Sequence, residues 1–179
     1  MSNTLRHSTR ESEKEITIAY GPQCSGKTTF FESVRPNELL SLGEHVRQAP
    51  DDDDRKILAK QLISGGLEWP VDLGYRFLAD VISHSEKPVL DGYPRNIREF
   101  NYLVDQIGAV KSITFLEFRA DKDSLVARYK ERERDDKNQE FFDLRYRQYV
   151  EFNNDIKKLL IEGAISKVAL RMLHFRIES

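Results

Sequence analysis

The segment ITIAYGPQCSGKTT, residues 16–29, constrains the fold of this chain more than any other stretch. An apolar run, Ile16–Tyr20, meets the loop GPQCSGKT, which satisfies G-x-x-x-x-G-K-[ST] at every fixed position, and a helical pattern over Gly26–Ser33 follows. A strand that enters such a loop and leaves it as a helix turns a row of backbone N–H groups and a helix N-terminus toward one point, which is a cradle for phosphate. Gly21 and Gly26 let the backbone turn where a side chain would block the anion. Lys27 reaches terminal phosphates, and Thr28 offers its hydroxyl to Mg²⁺. The competing reading is a plain glycine turn before a helix, and the strand–loop–helix context disfavours it. Cys24 reads as a tolerated loop residue whose oxidation would obstruct the cradle.

Three further apolar runs read as strands: Val89–Leu90, Ile113–Phe118 and Ile165–Leu170, with a weaker one at Glu38–Leu42. They are apolar on both faces or nearly so, as parallel strands covered by helices are. Helical patterns alternate with them, over 52–64, 71–83, 97–107, from Asp121 through Leu125 and Tyr129, and over about 138–160. The last lines up Phe142, Tyr146, Tyr149, Asn153, Ile156 and Leu160 at steps of three and four, which reads as core rather than a stacking platform. This alternation predicts an α/β fold with a doubly wound, five-stranded parallel sheet. The acidic run Asp51–Asp54 reads as a helix cap supplied by Asp51 or Asp52, in preference to a metal site.

Bulk properties exclude several classes. The 28 basic and 30 acidic residues leave a formal charge of −2, which gives no global field for nucleic acid or an anionic membrane. No apolar run approaches the ~20 residues that span a bilayer. The lone cysteine cannot form an internal disulfide and fits a reducing, cytoplasmic compartment. Residues 1–14 read as a polar tail, and 15–179 as one domain.

A second motif, LDGYPRN at 90–96, raises the question of whether Asp91 and Arg95 are turn residues or reagents. Asp91 ends a strand candidate, where acidic residues of phosphate-loop proteins steady magnesium or its water. Arg95 follows a rigid proline at the C-terminal edge of the sheet, where open α/β sheets bind ligands, and its fork suits a phosphate.

With these residues in view, the chain resembles the adenylate kinase family of nucleoside monophosphate kinases. LDGYPRN is similar to that family's LDGFPR signature. The segment Ser41-Leu42-Gly43-Glu44-His45-Val46-Arg47 resembles its S-T-G-D-L-L-R, Gly66–Pro70 its G-x-L-V-P, and RYKERERDD followed by Arg145 its lid region. The resemblance implies ATP and Mg²⁺ as donor and metal, held by Gly21, Gln23, Cys24, Ser25, Gly26, Lys27, Thr28 and Thr29, with Arg128 against the donor base and Asp91 beside Thr28 at the metal. It implies an acceptor segment at about 43–72 in which Leu42, Gly43, Arg47, Trp69, Gly92, Arg95 and Glu99 hold a nucleoside monophosphate. A very short lid at about 130–138 would bring Arg132, Arg134 and Arg145 around the transferred phosphoryl group. On its own, the lid helix reads rather as a salt-bridged solvated face, and it is the phosphate loop together with Arg47 and Arg95 that turns the reading toward function. The family also implies a monomer.

The departures concentrate on base recognition. Glu99 stands where adenylate kinases carry glutamine; an ionised glutamate only accepts hydrogen bonds, so it would disfavour AMP. Leu42 replaces the threonine of S-T-G. Trp69 replaces a small aliphatic residue, and either stacks on the acceptor base or plugs the gap beside Pro70. The two functions compatible with the sequence are phosphoryl transfer, by this or another small phosphate-loop kinase, and a catalytically weak nucleotide-binding module. The full arginine set favours the first.

Overall fold

The strand order of the sheet, β2-β3-β1-β4-β5, is set by where each apolar run finds a partner covered on both faces. The computed structural model describes residues 13–34, 38–64, 67–131, 139–162 and 169–176. In chain order the elements are β1 (Lys14–Tyr20), α1 (Lys27–Val34), β2 (Leu39–Ser41), α2 (Leu42–Gln48), α3 (Asp54–Ser64), α4 (Leu73–His84), β3 (Val89–Asp91), α5 (Ile97–Gln106), β4 (Val110–Arg119), α6 (Lys122–Glu131), α7 (Gln139–Glu162) and β5 (Ala169–Arg176). Every strand pairing is parallel.

Side chains alternate across the sheet with a period of two. Ile16, Ile18 and Tyr20 of β1 and Ile113 and Phe115 of β4 enter the larger core, with Leu78 and Ile82 of α4, Phe100 and Leu103 of α5, and Phe152 and Ile156 of α7. Ala19 and Phe118 point to the opposite face, against Phe31 of α1. The sheet is therefore wound on both sides, as the alternation predicts. Phe115 and Phe118 are fully buried, each worth roughly 1.5–3 kcal/mol of transfer free energy.

Three local features differ from expectation. The cap before α3 is Asp53, whose Oδ1 accepts from the Arg55 N–H at 2.8 Å, because the helix starts at Asp54; Asp51 instead pairs with Lys56 and Lys60. The weak strand expected at Glu38–Leu42 forms as β2, and its last expected residue, Leu42, instead opens the helix α2. The described fifth strand, Ala169–Arg176, shares 169–170 with the expected Ile165–Leu170 and runs on beyond it; 165–168 fall outside the described residues. As an edge strand, β5 is covered on one face only: Leu170 and Met172 pack inward while Arg171, Leu173 and His174 are exposed. Its pattern alternates.

Candidate active site

The strand register brings three loops to one edge. Asp91 is paired with Ser41 of β2 on one side and with Ala19 of β1 on the other, so all three strands end level. Beyond those ends lie the loop to α1, the start of α2 and the loop to α5. The chain leaves β1 toward β2 but leaves β3 toward β4 on the far side of β1, so this edge is the switch point at which open sheets accept ligands.

At the end of β1 the loop closes tightly over β4. A Cβ on Gly21, whose φ is +149°, would meet the Phe118 carbonyl oxygen at 2.5 Å, so glycine is required. Lys27 Nζ folds back onto the loop, donating to the carbonyls of Gly21 at 3.0 Å and Pro22 at 2.9 Å and to Ser25 Oγ at 3.3 Å. Thr28 Oγ1 donates to Asp91 Oδ2 at 2.8 Å, which answers one part of the question raised by LDGYPRN: the aspartate is tied to the phosphate loop. A hydroxyl and a carboxylate oxygen side by side are hard donors suited to Mg²⁺, which takes few protein ligands and keeps several waters.

On the other side, Arg47 extends from α2, half exposed and paired with Glu44 Oε2. Arg95 follows the cis Tyr93–Pro94 bond. Its guanidinium lies over the Trp69 ring at 4.3 Å from the centroid and is bound by Glu99. From above, Arg128 Nη1 reaches the Cys24 carbonyl at 3.4 Å, and Arg145 of α7 donates to Gln148 and lies against Phe141.

A cavity of about 1210 Å³ unites these groups. Every site residue expected from the sequence and described here lines it, with one exception. The exception is Glu99, which is buried at 2% exposure and turned onto Arg95. One face of the Trp69 ring carries the Arg95 guanidinium. Arg132 and Arg134 fall outside the described residues, as does the middle of the expected lid.

Sequence reasoning missed a second stripe on α7. Phe141, Arg145, Gln148 and Phe152 are spaced four, three and four apart and all line the cavity. The signal was present in the spacing, but it sits beside the stronger aromatic stripe that fills the core.

A parallel α/β sheet with a phosphate loop at its switch point and a cluster of arginines across a shared cavity defines a phosphate-loop phosphotransferase class. No protein-family model matches the chain. Among curated proteins, the adenylate kinase of Mycolicibacterium smegmatis is 29% identical over 173 residues, covering 87% of this chain and 96% of that protein. The chain is similar to an adenylate kinase over most of its length.

Proposed function

We propose that the protein transfers the γ-phosphoryl group of ATP to a nucleoside monophosphate. The observation that carries this reading is the single cavity whose floor is the phosphate loop and whose opposite side carries Arg47 and Arg95. Binding of one nucleotide would not call for cations at both ends.

The amides of 21–28 and Lys27 bind the donor phosphates, while Arg47 and Arg95 hold the acceptor phosphate in line with them. No side-chain nucleophile is needed, because the acceptor phosphate attacks directly; the protein supplies position and charge. Arg128 lies beside the donor and Arg145 faces the reacting centre, with Arg132 and Arg134 joining it when the short lid at about 130–138 closes. Thr28 and Asp91 would hold Mg²⁺, which when bound neutralises charge on the donor phosphates. The acceptor segment is about 43–72. A monomer is the form that the family resemblance implies. Among the described residues no helix is long and apolar enough to cross a membrane, and a cytoplasmic setting fits the lone cysteine.

The test is a coupled phosphoryl-transfer assay with AMP, GMP, CMP, UMP and dTMP, beside binding titrations of ATP and each monophosphate. Turnover with at least one acceptor is expected. Arg95→Ala should lose about 3 kcal/mol of transition-state stabilisation, a fall of roughly a hundredfold in kcat/KM, while remaining folded by circular dichroism. Binding of both ligands without transfer, or an Arg95→Ala variant with near-normal turnover, would overturn the assignment.

A further inference from the structure

Arg95 does not stand free beside the cavity; it is built into a frame. Glu99 Oε1 accepts from Arg95 Nη2 at 2.5 Å, and Oε2 accepts from Arg95 Nε at 3.3 Å and from the Arg95 backbone N–H at 2.7 Å. Glu99 is itself fixed from behind. Its backbone N–H donates to Asn96 Oδ1 at 2.9 Å, which caps α5, and its carbonyl accepts from Tyr93 Oη at 3.3 Å. The remaining freedom of the guanidinium, rotation out of its plane, is opposed by the Trp69 ring beneath it. The indole N–H of Trp69 is buried with no hydrogen-bond partner among the described residues.

Both glutamate oxygens are thus engaged, and the carboxylate does not line the cavity. The carboxylate takes the Nε–Nη2 edge of the fork and leaves the Nη1 side for an incoming anion. A long, rotamer-rich side chain is thereby ordered before the ligand arrives, so the ordering cost is not charged against binding.

We propose that Glu99 and Trp69 are positioning residues that set Arg95 for the acceptor phosphate, and that position 99 takes no part in choosing the acceptor base. This rests on the reading of Arg95 as the acceptor-phosphate clamp. It reverses the expectation that a glutamate at this position disfavours AMP.

The experiment compares wild type, E99Q, E99D, W69F and W69L across the five monophosphates, recording kcat and KM for each together with melting temperatures. A glutamine presents only one acceptor atom to the fork and turns an amide donor against it. E99Q should therefore lower kcat/KM by roughly 10- to 100-fold, by the same factor for every acceptor. E99D should recover part of the loss, W69F most of it relative to W69L, and E99Q should add little to an R95K background. If E99Q changes the ratio between acceptors, Glu99 reads the base and the proposal fails. If E99Q raises turnover, the glutamate competes with phosphate for Arg95 and the proposal fails. Should E99Q not fold, the E99D and Trp69 variants carry the same two outcomes. Absence of transfer by the wild type would sink the kinase reading itself, and so is distinguishable from either result.

Discussion

Asp91 serves two neighbours at once. Its Oδ2 accepts from Thr28, while its strand position beside Ala19 and Ser41 keeps it level with the ends of both adjoining strands. Replacing it with asparagine keeps an acceptor for the hydroxyl but removes the charge that a hard dication requires. Asp91→Asn should therefore shift the Mg²⁺ titration of turnover to higher concentration, by about tenfold or more, with little change in melting temperature. An unchanged Mg²⁺ midpoint would argue that the metal is held elsewhere. Of the two residues singled out in LDGYPRN, this one was readable from the sequence, because a strand end plus a known loop leaves an acid few alternatives. Arg95 was readable as a cation at the sheet's C-terminal edge but not as the captive of Glu99. A spacing of four on a helix start says the two side chains can meet, not which way the glutamate turns.

At the level of elements, α2 is short, only seven residues, and it carries Arg47 in its last turn. Its free carbonyls are taken by Lys56 of α3, whose Nζ donates to Arg47 O at 2.9 Å and to Ala49 O at 2.6 Å, and which also pairs with Asp51 at 3.1 Å. The ammonium is nearly buried, 9% exposed for the residue, and sits where the helix dipole favours a cation. Lys56→Met keeps the apolar stem but orphans both carbonyls. It should cost about 1–3 kcal/mol, read as a lower denaturant midpoint. Because the end of α2 aims Arg47, the variant should also raise KM for the acceptor more than it lowers kcat. A normal acceptor KM would mean that α2 holds its course without this cap. The acidic run preceding α3 was correctly legible as a capping signal, but its assignment to Asp51 or Asp52 was not. Four consecutive aspartates offer no local basis for choosing, and packing of the helix placed the start at Asp54.

Across the whole molecule, a buried carboxylate ties the long helix to the sheet. Glu117 of β4 is fully buried. It accepts from Tyr149 Oη of α7 at 2.6 Å and from Arg119 Nε and Nη2 at 2.9 and 2.6 Å, and it faces His174 Nδ1 of β5 at 2.8 Å. Tyr20 Oη donates to Asn153 Oδ1 a turn further along α7. Burial pushes the Glu117 carboxyl up, but hydrogen bonds from Arg119, Tyr149 and His174 and the charge of Arg119 outweigh it and hold the group below the ordinary carboxylate range. A group lowered in the folded state contributes stability that is complete above its unfolded pKa and is lost as pH falls through the folded value. Thermal stability should therefore decline on the acid side, below roughly pH 4.5, and Glu117→Gln should flatten that decline while lowering stability near neutrality by about 2 kcal/mol. An acid limb of unaltered slope in the variant would assign it to other carboxylates. Tyr149 lies one turn beyond Arg145, so the same variant also tests whether this tie sets the angle at which α7 presents its cavity-lining stripe.

The sequence alone determined the class of fold, the phosphate loop and the cations facing it, because those depend on local patterns: apolar runs, a glycine-bounded loop, arginines following proline or spaced along a helix. Tertiary structure decided what three other buried charged side chains do. Glu99 turns to Arg95, Lys56 to the end of α2 and Glu117 to α7 and β5. A charge removed from water must find a compensating partner, and the partners of Lys56 and Glu117 come from elements that only packing brings together.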